Sequence, residues 1–200
     1  MQAGQDWIKP TVLELPETNA LVRLIPLDPD HTRDLFHAAT PDTFNLFSRG
    51  PEQWTEDGMR AFIEYLLGPA KTVPFSVIHV PTQTPIGITT YLDIKPLHKG
   101  AEVGWTWITP EHRGTKINPA MKLLMLQHAF ERLDAIRVCL KTDERNLLSQ
   151  HAIEKLGAKR EGIMRHTVIM RDGFRRSSAM YSILADEWPV VKQRLIERLH

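Results

Sequence analysis

Apolar and polar positions change period several times along the chain, and each change marks an element. LVRLIP (21–26) reads as a strand. Asp28 followed by Pro29 opens a helix running through His37, with aspartate as cap and proline at the first helical position. Thr55, backed by Glu56 and Asp57, caps a second helix, in which Met59, Phe62, Ile63, Leu66 and Leu67 share one side before Gly68-Pro69 stops it. FSVIHV (75–80), PIGITTYLDI (85–94) and AEVGWTWIT (101–109) are β-rich and separated by the turns PTQT and PLHKG, which predicts an antiparallel meander.

The stretch EHRGTKINPAMKLLMLQHAFERL (111–133) then runs from a polar turn into a wide apolar helix. Leu123, Leu126, Phe130 and Leu133 form its stripe, and Met121, Leu124 and Met125 widen it. Lys122, Gln127, His128, Glu131 and Arg132 are left as the wet positions, so the helix belongs against a sheet. IRVCLKT (136–142) is a strand, and the intervening helix makes it parallel to 101–109. A helix at about 147–156 ends at Gly157, and GIMRHTVIM and FRRSSAMYSIL flank Arg171-Asp172-Gly173 as a hairpin. Asp186 caps a terminal helix carrying Trp188, Val190, Val191, Leu195 and Leu199. The order βααβββαβαβ(β)α is an α+β layout whose mostly antiparallel sheet holds one central parallel pair. Such a pair splays where its neighbours' ladders end, and the splayed seam is a slot for a ligand.

Composition narrows the classes. The 200 residues suggest one domain with a short appendage at either end, and 42% hydrophobic with 24% charged residues is ordinary for a folded chain. A formal net charge of +1 gives no field to hold nucleic acid or an anionic membrane. The single cysteine, Cys139, excludes an internal disulfide and suits a reducing cytosol; between Val138 and Leu140 it reads as an inert sheet residue. The N-terminus lacks the basic start and apolar run of a secretory signal, and no stretch reaches the roughly 18 apolar residues of a membrane span. The nine histidines show no metal-ligand spacing. Trp105 and Trp107 face one side of their strand as core, and Arg171, Arg175 and Arg176 make a basic, solvated hairpin tip.

The residues in the turn carry the chemistry. Arg113, Gly114, Thr115, Lys116 and Asn118 sit at a helix start, where backbone N–H groups have no partner and an anion can bind. GWTWITPEHRG, the apolar helix, RVCLKTDERN and NLLSQHAIEKLGAKREG together resemble the GNAT N-acyltransferase superfamily. Within it, the sequence is most similar to the ribosomal-protein N-acetyltransferases that modify protein N-termini. The resemblance spans about residues 20–185 and is strongest at 102–162. It implies a GNAT fold, a mixed and mostly antiparallel central sheet with one splayed parallel strand pair and helices on both faces. Residues 1–20 are then an N-terminal extension, 21–185 the acetyltransferase domain and 186–200 a C-terminal helix. In the superfamily the turn reads Arg/Gln-x-x-Gly-x-Gly/Ala and cradles the acetyl-CoA pyrophosphate. Here Arg113, Gly114, Thr115, Lys116, Ile117 and Asn118 take those positions, with Lys116 where glycine is usual and Asn118-Pro119 as a cap and first-turn pair.

Acetyl transfer from a thioester to an amine needs a neutral amine, a stabilised oxyanion and a leaving thiolate. The resemblance makes Glu102 the base, with Asp93 in reserve, and the backbone of Trp107, Ile108 and Thr109 the oxyanion-donor segment. It gives Asn146 to the pantetheine arm and Ser149 to the sulfur as acid, whereas Ala152 and Ile153 occupy the stretch where many relatives carry a tyrosine. The expected activity is acetyl-CoA-dependent acetylation of a primary amine, a protein N-terminus or a small molecule, by direct transfer in a ternary complex without a metal. The competing expectation is a non-catalytic CoA-binding module in which Lys116 fills the pyrophosphate groove. A cytoplasmic chain with no membrane or nucleic-acid partner, open to forming a homodimer, completes the expectation.

Overall fold

The computed structural model describes Trp7, Lys9, residues 11–14 and residues 21–200. Its seven strands are β1 (Val22–Pro26), β2 (Val73–His79), β3 (Thr84–Lys95), β4 (Gly100–Ile108), β5 (Arg137–Asp143), β6 (Lys159–Ile169) and β7 (Arg175–Leu184). They form one sheet in the order β1-β2-β3-β4-β5-β7-β6, antiparallel at every pairing except β4–β5. The helices are α1 (Thr32–Ala38), α2 (Glu56–Leu67), α3 (Ile117–Gln127), α4 (Leu147–Leu156) and α5 (Trp188–Glu197). No helix among the described residues is long and apolar enough to cross a membrane.

Strand alternation distributes the core to two faces. Phe75, Val77, Tyr91 and Val138 share one cluster with the apolar sides of α3, α4 and α5. Ile88 and Trp107 turn the other way and join α1, α2 and Phe44. Trp7 and Leu13 are buried in the larger cluster, and Leu13 pairs with Leu24 on the free edge of β1; the rest of the expected 1–20 extension lies largely outside the described residues. The 186–200 helix joins this same core, with Trp188 stacked on Phe130 at 5.3 Å between ring centroids. The turn opened by Asp28 is a 3₁₀ turn (Pro29–His31) that precedes α1, and Asp28 Oδ1 accepts from Asp30 N at 2.8 Å.

The α3 stripe is wider than the sequence indicated: Lys122 is 6% exposed and belongs to the buried side. Beyond Gln127 the helix loosens into a π turn, His128–Arg132. The Tyr91 hydroxyl, driven into this layer from β3, donates to the Met125 carbonyl and so competes for the helical ladder. Burial, with the Arg132 charge added, pushes His128 down to about 4, so it sits as a neutral ring beside Tyr91.

The parallel pair is short. Only Gly100–Arg137, Ala101–Val138 and Glu102–Cys139 are in register, after which β4 and β5 part. The cause lies in β4. Between the pairs Ile88–Trp107 and Thr90–Gly104 one β3 residue faces two of β4, a bulge in which Trp105 takes φ 48°. The bulge twists the end of β4 away from β5 while β3 holds it from behind. That hold is tight, for a Cβ on Gly87 would lie 2.1 Å from the Trp107 carbonyl oxygen. Gly87→Ala is therefore expected to force β3 and β4 apart and to destabilise the fold by about 3 kcal/mol, against nearly nothing for a substitution on the exposed side of α5 such as Glu197→Ala; thermal melts of the two variants check this.

Candidate active site

The gap between β4 and β5 opens into a cavity of about 380 Å³. Glu102, Gly104 and Thr106 line it from β4, Asn118 and Lys122 from α3, and Asn146 and Ser149 from α4. Three residue groups far apart in sequence thus meet at the seam.

Glu102 is 6% exposed, not a surface carboxylate on a strand end. Lys141, on β5, supplies its counter-charge at 2.9 Å from Oε2 to Nζ. Gly104 leaves room for it, because a Cβ there would lie 2.9 Å from Glu102 Oε1. The reserve carboxylate, Asp93, is exposed, has φ 45° and pairs with Lys95 at 2.7 Å, outside the cavity.

Asn146 caps α4, its Oδ1 accepting from the Ser149 N–H at 3.0 Å. Asn146 and Ser149 are thus locked together at the cavity wall, with the Asn146 amide nitrogen left for a ligand. Ala152 and Ile153 line the next turn of α4, so no tyrosine stands there.

The three backbone donors differ. Thr109 N–H is engaged, donating to Ile86 O at 2.8 Å. Antiparallel alternation then turns the Trp107 N–H back toward β3 and leaves Ile108 N–H facing the seam. Of the three N–H groups only that of Ile108 is therefore turned away from β3, although none of the three residues is among those lining the cavity; the Trp107 indole packs on Phe44 at 5.7 Å.

In the turn, Gly114 takes φ 75° with nothing within 4 Å of a Cβ position, and Thr115 Oγ1 donates to His112 O at 2.7 Å while accepting from Ile117 N at 3.3 Å. Arg113 Nε donates to Ile108 O at 3.4 Å and the residue is otherwise exposed. Lys116, not Asn118, is the N-cap of α3, and Asn118 stands within the first turn facing the cavity. The Lys116 ammonium does not fill the groove. It donates to Leu199 O at 2.8 Å and His200 O at 3.1 Å, tying the turn to the segment after α5.

Several site residues carried no clear signal in the sequence. Asp143 is 2% exposed at the end of β5, where burial alone would raise its carboxyl; hydrogen bonds from the Arg145 side chain and backbone, with the Arg145 and Arg176 charges, bring it below the usual range. Arg176 is 7% exposed rather than part of a solvated tip; it donates to Leu46 O at 3.4 Å and its Nε has no hydrogen-bond partner among the described residues. Arg171, itself exposed, donates to Pro51 O and Phe44 O, both at 3.3 Å, so Arg171 and Arg176 fasten the 41–54 segment, while Arg175 stays exposed as expected of a solvated tip.

Lys122 is the least expected of them. Its Nζ donates to Thr106 Oγ1 at 3.0 Å, and that hydroxyl also meets Thr89 Oγ1 at 2.9 Å. No carboxylate pairs with it among the described residues, and burial pushes the amine down to about 7. Below pH 7 the folded state holds a charged amine in a dry site and bears the full penalty. Between pH 7 and the ordinary 10.5 the folded amine is neutral while the unfolded one is still charged, so the penalty fades as pH rises. Lys122→Met is expected to raise Tm by roughly 5 °C or more at pH 6–7, with the gain shrinking toward pH 10; melts across that range measure it.

Comparison with known proteins agrees with the fold. The acetyltransferase (GNAT) domain profile matches residues 22–159. Among solved structures, a Thermus protein, from T. thermophilus, carrying an acetyltransferase designation shares 36% identity, with 97% of this chain and 100% of that one covered at a TM-score of 0.89. A GCN5-related N-acetyltransferase from Brucella melitensis shares 24% identity over 98% and 90% of the two chains, with a TM-score of 0.87. Mycobacterium smegmatis RimJ, solved with CoA-disulfide, shares 20% over 96% and 95%, with a TM-score of 0.75. No curated protein matches the sequence. A profile spanning the sheet from β1 to the start of β6, and the seam that the sheet opens, place the chain in the GNAT acetyltransferase family.

Proposed function

We propose that the chain transfers the acetyl group of acetyl-CoA to a primary amine by direct transfer with both substrates bound, and that the acceptor is the N-terminal α-amine of a polypeptide. The observation that carries this reading is the convergence of Glu102, Asn146 and Ser149 on one cavity at the point where β4 leaves β5. The residues present suit the donor. Gly114 leaves the turn backbone open, Lys116 is held elsewhere, and Arg113 is exposed beside Ile108, to whose carbonyl its Nε donates. Arg113, the 114–118 turn, Ile108 N–H and the Asn146 amide would hold it, with Ser149 near the sulfur. Acetyl-CoA supplies an activated acetyl group and a thiol of pKa near 8.5 that leaves without strong acid help.

A second cavity, of about 890 Å³, favours a polypeptide acceptor. It runs between the start of α2 and the β6–β7 hairpin, and Ser48 and Val168 line both cavities, so an extended chain in the groove would lead into the seam. There Glu102 would take a proton from the amine, directly or through one water, and Arg176 Nε, without a hydrogen-bond partner among the described residues, would suit the carbonyl oxygen next to an α-amine. An α-amine loses its proton at pH 7 for about 1 kcal/mol, against roughly 4–5 kcal/mol for a lysine side chain. RimJ is a fold-level relative, as is a Vibrio cholerae structure designated a ribosomal-protein-serine acetyltransferase; both support the branch. A cytosolic location and a role without metal go with this reading. The non-catalytic module loses its motive, because Lys116 does not occupy the groove.

Calorimetry with acetyl-CoA is expected to give 1:1 binding, weakened roughly tenfold in Arg113→Ala. Thiol release over a panel of N-terminal peptides, polyamines and amino sugars is expected to favour the peptides; release no faster than the spontaneous rate for every amine would overturn the enzymatic reading. Glu102→Gln is expected to lower kcat by roughly 10²–10⁴ with CoA affinity unchanged, the deficit narrowing as pH rises and solution supplies neutral amine. Retention of more than about half the activity at pH 7 would remove Glu102 as the base.

A further inference from the structure

Lys122 is the buried group for which the fold offers no internal explanation. Lysine stems ordinarily snorkel so that the head reaches water, yet here the whole residue is 6% exposed. A buried amine needs either a carboxylate or a full set of acceptors. Lys122 has neither. As an ammonium it carries three donors, and among the described residues one is used, on Thr106 Oγ1. The Thr106 hydroxyl is itself shared with Thr89 Oγ1 at 2.9 Å and Gly104 O at 3.3 Å, so it fixes the direction of the amine rather than satisfying it. Lys122 lines the cavity, and among the described residues no second acceptor meets its ammonium.

We infer that Lys122 is a donor-binding residue, whose free N–H groups hold a carbonyl oxygen of the acyl-pantetheine arm in the seam. The inference rests on the proposed use of acetyl-CoA. Two carbonyl sources share this chemistry, the thioester and the pantetheine amides. Carbonyl oxygen is what the arm can bring, because between its thiol end and its phosphates pantetheine carries only neutral acceptors, and each supplies a hydrogen bond that the buried amine lacks. Lys122 stands one helical turn after Asn118, so both side chains look from α3 into the same slot. The position also explains why a lysine interrupts an otherwise buried, apolar helix: its stem is apolar and its head is polar only where the slot begins.

Protonation then sets the strength of the contact. The ammonium form, present below about 7, is a charged donor, and the neutral amine is a weaker one. The other charged groups on the cavity wall are Glu102, paired with Lys141 at 2.9 Å, Asp143, paired with Arg145 at 2.7 Å, and Arg176, whose Nε lies 4.0 Å from the Asp143 carboxylate without a hydrogen bond; α4 presents the uncharged Asn146 and Ser149. Titration of the phosphates of CoA affects wild type and variant alike and cancels in the ratio of their Kd values.

The test is calorimetry of CoA and acetyl-CoA on wild type and Lys122→Met at pH 6.0 and 8.5, with melting curves to show that the variant is folded. The Kd for acetyl-CoA is expected to rise roughly 10–100-fold in the variant at pH 6.0 and by less at pH 8.5. A loss confined to acetyl-CoA assigns the contact to the thioester carbonyl, and an equal loss for both ligands assigns it to a pantetheine amide. In parallel, the ¹³Cε resonance of Lys122, identified by its absence in the variant, is expected to shift and to titrate at higher pH when acetyl-CoA is added. Equal Kd values in the two folded proteins, or a Lys122 resonance indifferent to acetyl-CoA, would overturn the inference while leaving the proposed activity standing. Failure of wild type to bind either ligand would sink both.

Discussion

The early end of the β4–β5 ladder is the constraint on which the site depends. Parallel strands gain little by pairing over a few residues, and here three register pairs are all that form before the Trp105 bulge turns β4 aside. The backbone edges exposed beyond Glu102 would be costly in a dry interior. β3 satisfies the far side of β4 and β7 the far side of β5, from Arg137–Leu184 to Asp143–Ser178, so only the groups facing the slit are left, and these meet the cavity rather than a dry core. A well-paired sheet therefore carries one unpaired slit, and α3 and α4 bring their N-terminal turns to it.

Burial organises the chemistry inside the slit. Glu102 and Asp143 are held by Lys141 and by Arg145 with Arg176, so each carboxylate has a fixed cationic neighbour and a fixed direction. Low exposure strengthens these fields and excludes competing water. The same burial leaves Arg176 Nε and the amine of Lys122 under-satisfied. Such groups cost stability while unpaired and become specific contacts when a ligand oxygen meets them. Stability and recognition are opposed at these two residues, which is why the same substitution at Lys122 is expected to raise Tm and weaken the donor.

Helix order and strand order were legible from periodicity, since apolar stripes and alternation report directly on which side of an element is buried. The parallel crossover followed from one helix between two strands, and the slit from the mixture of parallel and antiparallel neighbours. Glu102, Asn146 and Ser149 were legible only through a resemblance, as nothing in their spacing compels them to meet. Thr109, Asn118 and Lys116 show the limit of that route. A backbone N–H taken by Ile86, a helix that starts two residues early and an ammonium that reaches Leu199 depend on angles that a motif does not contain.

The sequence by itself determined the elements, the family and the polar turn ahead of α3, because these rest on local period, capping chemistry and short-range pattern. Tertiary structure decided which polar residues are dry. Lys122 sits among leucines and methionines and looks like a wet position on a helix drawn alone; only the sheet packed against that side closes it off from water. Arg176 looks like part of an exposed hairpin until Leu46, 130 residues earlier in the chain, covers it. The physical reason is common to both. A side chain's solvation depends on what lies opposite it, and what lies opposite is brought there by long-range packing that no local pattern encodes.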